Sequence, residues 1–205
     1  MNYRDKYQFG TDVSMVFCEK IERLLKNKKV LDLGCGKGDY LERFGKGSVG
    51  LDLSPKNVIA ARQQGHKVIE CDLNNPPVLK NKFDAVFSSH LLEHLDCPID
   101  LFRYAGKNLN KGGLFVLSIP NEASPIHLRY PYFTKNGNHL YSFSVNNILE
   151  LLEVSGFKCI EIHYDYYTEL TSKLHLNFLL RLLDHLPSYF SQKIAWSFWF
   201  VAKKK

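Results

Sequence analysis

VLDLGCGKGDY, residues 30–40, decides the fold, because it joins a buried apolar strand to a following helix through a turn built on Gly34, Gly36 and Gly38. Val30, Leu31 and Leu33 make the strand. Glycine at alternate positions opens backbone dihedrals that other residues avoid, and the missing Cβ atoms let a ligand lie against the main chain. A strand that runs into such a turn predicts a binding loop at the carboxyl end of a parallel sheet.

The spacing narrows the ligand. The dinucleotide fingerprint G-x-G-x-x-G/A sets a small residue where the helix begins beneath a pyrophosphate, and here Asp39 holds that position. A carboxylate at a helix N-terminus satisfies the dipole itself and repels phosphate, so a nucleoside ligand without phosphates is expected. Working outward, SVGLDLS (48–54) reads as a second strand ending in Asp52, about 18 positions past Gly34, where an acid accepts hydrogen bonds from ribose hydroxyls. KVIECDL (67–73) reads as a third strand ending in Asp72, FDAVFSSHLLEHL (83–95) opens with a fourth, and NKGGLFVLSIPN (110–121) is a turn and a fifth. Ser54 before Pro55 predicts a capped helix over 55–64. Val13, Val16, Phe17, Ile21, Leu24 and Leu25 recur at helical spacing, predicting a cap helix within residues 1–27 that packs over the ligand entrance. Strands alternating with helices mean a parallel sheet wound on both faces.

In this order and spacing the chain resembles the class I S-adenosylmethionine-dependent methyltransferases. The resemblance covers about residues 28–205 and rests on DLGCGKG, GLDLS, the CDL acid, FDAVFSSHLLEHL and LNKGGLFVLSIPN. It looks most like the small-molecule branch that includes the ubiquinone-pathway O-methyltransferases and glycan- or lipid-modifying enzymes. The resemblance implies one α/β domain over 1–205, a Rossmann-like doubly wound seven-stranded sheet of order 3-2-1-4-5-7-6. Residues 195–202 would be its antiparallel last strand and 157–166 that strand's neighbour. It implies S-adenosylmethionine as cofactor and S-adenosylhomocysteine as product. Asp32 and the backbone of Gly34, Cys35, Gly36 and Gly38 would hold the methionine half, with Ser88 and Ser89 near its amino group. Asp52 would hold the ribose, Asp72 and the Leu73 amide the adenine, and Leu53 would pack on the adenine ring.

Composition agrees. A chain of 205 residues, 45% of them hydrophobic, suffices for one domain with a proper core. The cysteines, Cys18, Cys35, Cys71, Cys97 and Cys159, are odd in number and form no CxxC pair, which argues against a disulfide framework or zinc knuckle and for a reducing cytoplasm. Residues 1–10 are polar and aromatic rather than leader-like, and no apolar run reaches the roughly 18 residues that span a bilayer. A net charge of +6 favours acidic partners only modestly, so no nucleic-acid partner is expected. Residues 174–199 mix Leu, Phe and Trp with Arg181 and Lys193 ahead of Lys203, Lys204 and Lys205. They could rest as an amphipathic segment on anionic lipid, or Leu176, Leu179, Leu180 and Leu183 could cover the sheet or a homodimer partner. Monomer and homodimer both stay open.

Two segments carry the acceptor side. NEASPIHLRYPYFTKNGNHLY, residues 121–141, is too long for a plain turn. It reads as an acceptor lid with aromatic walls (Tyr130, Tyr132, Phe133, Tyr141) and cationic groups (His127, Arg129, Lys135, His139), suited to a small and anionic acceptor. In HLLEH, residues 90–94, His90, Glu93 and His94 share a face if a helix has begun there. Three readings stay open: a divalent-metal site with His139 as a further ligand, a metal-free acid–base and acceptor site, and a helix start whose Glu93 and His94 make local hydrogen bonds. Methyltransferases that the chain resembles carry Glu-x-x-Glu-His there and use a metal, and His90 departs from that pattern. A hydroxyl acceptor has to lose a proton, so His94 and His139 are expected as general bases converging beside the transferable methyl. The expected function is O-methylation of a small-molecule or glycan- or lipid-linked acceptor. The alternatives are a cofactor-binding module without turnover, a nucleic-acid methyltransferase and a nicotinamide oxidoreductase.

Overall fold

The computed structural model of the chain describes residues 19–124, 139–165, 190, 192–193 and 195–205. In chain order these form α1 (Glu19–Leu25), β1 (Val30–Leu33), a 3-10 turn (Leu41–Arg43), β2 (Val49–Asp52), α2 (Pro55–Gln63), β3 (Val68–Glu70) and β4 (Phe83–Ser89). A second 3-10 turn (Leu92–His94), α3 (Pro98–Asn108), β5 (Leu109–Pro120), α4 (Val145–Val154), β6 (Phe157–Asp165) and β7 (Ser197–Lys204) follow. The strands make one sheet of order β3-β2-β1-β4-β5-β7-β6. β1 pairs parallel with β2 and β4, while β7 runs antiparallel to β5 and β6. The expected α/β order is the observed one.

Alternation along each central strand builds the two faces, since successive side chains point to opposite sides. Leu31, Leu33, Val86, Leu117, Phe198 and Phe200 meet Leu101, Phe102 and Ala105 of α3 and Ile148 and Leu152 of α4 on one side. Val30, Ala85, Phe87, Val116, Trp199 and Val201 meet Ile21 and Leu25 of α1 on the other. The described part of α1 therefore covers a sheet face, whereas the sequence predicts it over the ligand entrance. Its predicted continuation over residues 1–18 lies outside the described residues, as do 125–138 of the lid with His127, Arg129, Tyr130, Tyr132, Phe133 and Lys135, and most of 174–199.

Local chemistry explains the helix starts. Ser54 accepts from the Asn57 amide and Pro55 occupies the first turn of α2. Ser144 and Asn147 form a reciprocal capping box on α4.

Three predicted elements are corrected. The helix expected after the glycine loop is only the turn Leu41–Arg43. The Gly45 amide donates to the Lys28 carbonyl at 2.7 Å, and a Cβ at Gly45 would sit 2.5 Å from the Asn27 backbone. Directly after Phe44 the chain is tied against Asn27 and Lys28 ahead of β1, so Asp39 heads no α-helix. Its charge remains, without a helix dipole behind it. Second, no helix has begun at His90, whose φ of 50° is left-handed; α3 starts only at Pro98. Third, β7 runs over Ser197–Lys204, two residues later at each end than expected, and the Ala195 carbonyl ahead of it accepts from Asn121 Nδ2. Among the described residues no helix is long and apolar enough to cross a membrane.

Candidate functional site

The glycine loop leaves β1 with φ of 77° at Gly34, 56° at Gly36 and 91° at Gly38, a region that costs other residues roughly 1–2 kcal/mol. The amides of Gly34 and Cys35 both donate to the Leu51 carbonyl of β2, at 2.8 and 3.0 Å. The Gly36 amide donates to Asp52 Oδ2 at 2.8 Å, and Asp52 Oδ1 accepts from the Ser54 amide at 2.9 Å. Asn57 Nδ2 also donates to Oδ1, at 3.4 Å. Asp52 thus ties the loop to the second strand and to α2, and Oδ2, with one bond from Gly36, keeps a further lone pair. A Cβ at Gly34 would press on Leu91 at 3.3 Å and one at Gly38 on His66 at 2.7 Å, but one at Gly36 would meet nothing within 4 Å. The open face of the loop is therefore at Gly36. Cys35 turns its thiol inward, where a Cβ on Gly50 would come within 2.4 Å of the sulfur, and burial pushes that thiol up. Only its backbone is available to a ligand.

Asp32 is 1% exposed, and its Oδ2 has no hydrogen-bond partner. Burial first, then the charges of Asp52 and Asp39, hold its carboxyl well above the usual range. An unpaired buried carboxylate is costly, and a ligand ammonium beside it would relieve that cost. The folded chain resists ionising Asp32, so the associated stability is complete below the unfolded carboxylate pKa of about 3.9 and is lost as pH rises through the raised folded value. Asp32→Asn should accordingly stabilise the ligand-free chain increasingly as pH climbs above about 4, on the order of 1–3 kcal/mol at most, or about 2–4 °C in melting temperature per kcal/mol. Thermal melts across that range check it; a gain independent of pH would contradict the cause given.

The remaining predicted contacts are placed unevenly. Ser88 is fully buried and donates to the Leu33 carbonyl at 3.3 Å, linking β4 to β1. Ser89 ends β4 and is partly exposed. Asp72 is exposed past the end of β3, its Oδ1 accepting from the Asn74 amide at 2.9 Å. Leu73 is buried beside it, and Leu53, half-buried, follows Asp52.

Across Leu91 from the loop lies a cluster of imidazoles and carboxylates. The rings of His94 and His139 meet edge to face with centroids 4.7 Å apart, well inside the roughly 10 Å beyond which one water or metal could not link them. Glu93, His94 and His139 each present a donor atom within 4.8 Å of the others. Glu93 has no exposed surface, and neither carboxylate oxygen has a hydrogen-bond partner; His90 Nδ1 stands 3.6 Å away, too far for one. Burial would raise the Glu93 carboxyl, but His90 and His94 outweigh it and keep it below the usual carboxylate range. The returning end of the long loop is pinned here, the Leu140 amide donating to the Glu93 carbonyl at 2.8 Å and the Tyr141 hydroxyl to the Asp96 carbonyl at 2.9 Å.

Sequence reasoning missed Glu122, whose carboxylate pairs with His139 Nδ1. Its only signal is an acid two residues past the end of a central strand. Two imidazoles and a buried carboxylate so arranged can exchange protons with a bound hydroxyl. The donor set also suits a borderline divalent ion.

The methyltransferase domain family matches residues 9–162. The chain is 34% identical over 110 residues to the ubiquinone biosynthesis O-methyltransferase of Pelagibacter ubique, covering 49% of this chain and 45% of that one. It is 27% identical over 157 residues to the tRNA U34 carboxymethyltransferase of Saccharophagus degradans, covering 68% and 48%. The chain thus spans about half the length of these curated relatives. Its fold matches the crystal structure of an S-adenosylmethionine-dependent methyltransferase from Mesorhizobium loti with a TM-score of 0.68 at 22% identity, over 90% of this chain and 96% of that one.

Proposed function

Because the chain belongs to the class I S-adenosylmethionine-dependent methyltransferases, we propose that it moves the sulfonium methyl of that cofactor to a hydroxyl of a small-molecule or glycan- or lipid-linked acceptor. His139 and His94 serve as the acid–base groups. In this reading residues 1–205 act as one catalytic domain, with the part of 1–27 that precedes α1 as a cap and 121–141 as the acceptor lid. Asp32 and the Gly34, Cys35, Gly36 and Gly38 backbone take the methionine half of the cofactor. Asp52 takes the ribose, Asp72 and Leu73 the adenine edge, Leu53 the ring face, and Ser89 the neighbourhood of the amino group. The cationic residues His127, Arg129 and Lys135 make an anionic acceptor the expectation.

One observation carries the reading: His94 and His139, far apart in sequence, converge at the carboxyl ends of β4 and β5 beside the segment that touches the glycine loop. The acceptor hydroxyl attacks the methyl in line with the departing sulfur, forming the oxygen–carbon bond as the carbon–sulfur bond breaks, and its proton passes to an imidazole. Positioning of the reactants alone can supply roughly 7–11 kcal/mol. The ubiquinone-pathway relative, named as an O-methyltransferase, supports the direction to oxygen.

A second reading rests on the Glu93, His94 and His139 donors. The unpartnered Glu93 oxygens fit a divalent cation, which would supply Lewis-acid activation of the hydroxyl.

The test is release of S-adenosylhomocysteine when the chain and S-adenosylmethionine are mixed with hydroxylated, amine and RNA acceptors. Release with hydroxylated acceptors alone supports the proposal, and release with RNA alone moves it to a nucleic-acid enzyme. Tight binding of S-adenosylhomocysteine with no release from any acceptor identifies a binding module.

A further inference from the structure

We propose that Glu122 is a positioning residue that fixes His139 in the tautomer with its proton on Nδ1, so that Nε2 offers its lone pair to the acceptor. This rests on the reading of His139 as a base, and it adds the residue that makes that base usable.

The pairing is direct: Glu122 Oε1 meets His139 Nδ1. Both side chains are largely withdrawn from water, 15% and 17% exposed, so solvent competes little for either. An ionised carboxylate only accepts hydrogen bonds. Its neighbour Nδ1 therefore has to donate, which in a neutral ring leaves Nε2 as the acceptor.

The backbone holds both partners still. Asn121, 4% exposed, donates from its amide to the Trp196 carbonyl at 2.9 Å, and from Nδ2 to the carbonyls of Gln192 at 2.8 Å and Ala195 at 2.9 Å. The turn after β5 is thereby bolted to the segment entering β7, and the Ser124 amide closes it on the Asn121 carbonyl at 3.0 Å. His139 is held from its own side by the Leu140 amide on Glu93. The two ends of the long 121–141 connection are thus anchored independently, and the Glu122–His139 pair joins them. His94 packs edge to face on the same ring and limits its rotation. A carboxylate behind the second nitrogen is also what orients an imidazole toward a metal, so the role holds whichever way the cluster acts.

The test needs no acceptor. The full chain, labelled with 15N, saturated with S-adenosylhomocysteine and taken to alkaline pH until the imidazole signals stop moving, gives nitrogen signals that distinguish the two neutral tautomers. His139→Asn identifies the relevant set by its loss. The native chain should show Nδ1–H. Glu122→Ala should move His139 toward Nε2–H, the form free histidine favours, and Glu122→Gln, which keeps the shape but not the charge, should give a mixture. Cofactor-product affinity within about twofold of native certifies the fold of each variant. Once an acceptor is in hand, Glu122→Ala should lower kcat about 10- to 100-fold with KM little changed. An Nε2–H signal in the native chain, or an unaltered Nδ1–H signal in both variants, overturns the proposal. A tautomer that shifts as expected while His139→Ala keeps full turnover would leave Glu122's role standing and remove the reading of His139 as a base.

Discussion

His139→Ala lowers turnover by about 100-fold or more while S-adenosylhomocysteine binds as before: this is the largest effect expected of any single change in the site. A positioned general base contributes roughly 10²- to 10⁴-fold, and alanine at position 139 removes both the imidazole and the partner of Glu122. The ring belongs to the cluster with Glu93 and His94 and not to the glycine loop. The loss should therefore fall on kcat and leave cofactor affinity untouched. His94 touches the same ring, so groups acting as a unit should be non-additive: His94→Ala added to His139→Ala should cost little beyond the single change. Chelation separates the two versions of the chemistry. Activity abolished by chelator and restored by a divalent ion supports a metal held by Glu93, His94 and His139, and indifference to chelator supports acid–base histidines. A His139→Ala chain with native turnover defeats both.

The second large effect is on affinity. Asp52→Ala should weaken S-adenosylhomocysteine binding by about 1.5–3 kcal/mol, the range for hydrogen bonds to a charged group, or roughly 10- to 150-fold in Kd. Two losses combine. The ribose hydroxyls lose their acceptor, and the Gly36 amide loses the Oδ2 that holds the loop in its left-handed conformation. One term opposes them: the charge of Asp52 helps to keep the Asp32 carboxyl raised, so removing it eases ionisation of Asp32 and returns part of the loss. Asp52→Asn should be intermediate, since a single carbonyl oxygen cannot serve both the Gly36 and Ser54 amides now on separate oxygens. Calorimetry on variants with native circular dichroism measures this, and an unchanged Kd would contradict the role given to Asp52.

Much of this was written locally in the chain. The VLDL run, the three glycines and the Ser54–Pro55 cap depend on dihedral preference, side-chain alternation and neighbours a few residues away. Such features are legible in sequence because their physics is short-ranged. The order of the seven strands followed from family resemblance to those same landmarks, and the sheet has that order. Asp52 was legible too, because its distance from Gly34 is set by one strand–turn–strand unit.

Where the outcome depended on a partner distant in sequence, local reading failed. A helix after Gly38 is locally reasonable, yet the backbone of Asn27 and Lys28 beneath Gly45 leaves space for one 3-10 turn only. HLLEH has helical spacing, but the chain leaves β4 through a left-handed His90 bonded by its amide to Ser118 on the next strand. The sequence by itself determined the first strand, its glycine loop and the acid facing it, because those rest on contacts within one supersecondary unit. Only the tertiary structure decided that Glu122 joins Glu93, His94 and His139, whose convergence the adjacency of β4 and β5 already implied, in one cluster. That cluster exists because two adjacent strands end side by side and the long loop between β5 and α4 returns to donate its Leu140 amide to Glu93, contacts whose partners no local pattern names.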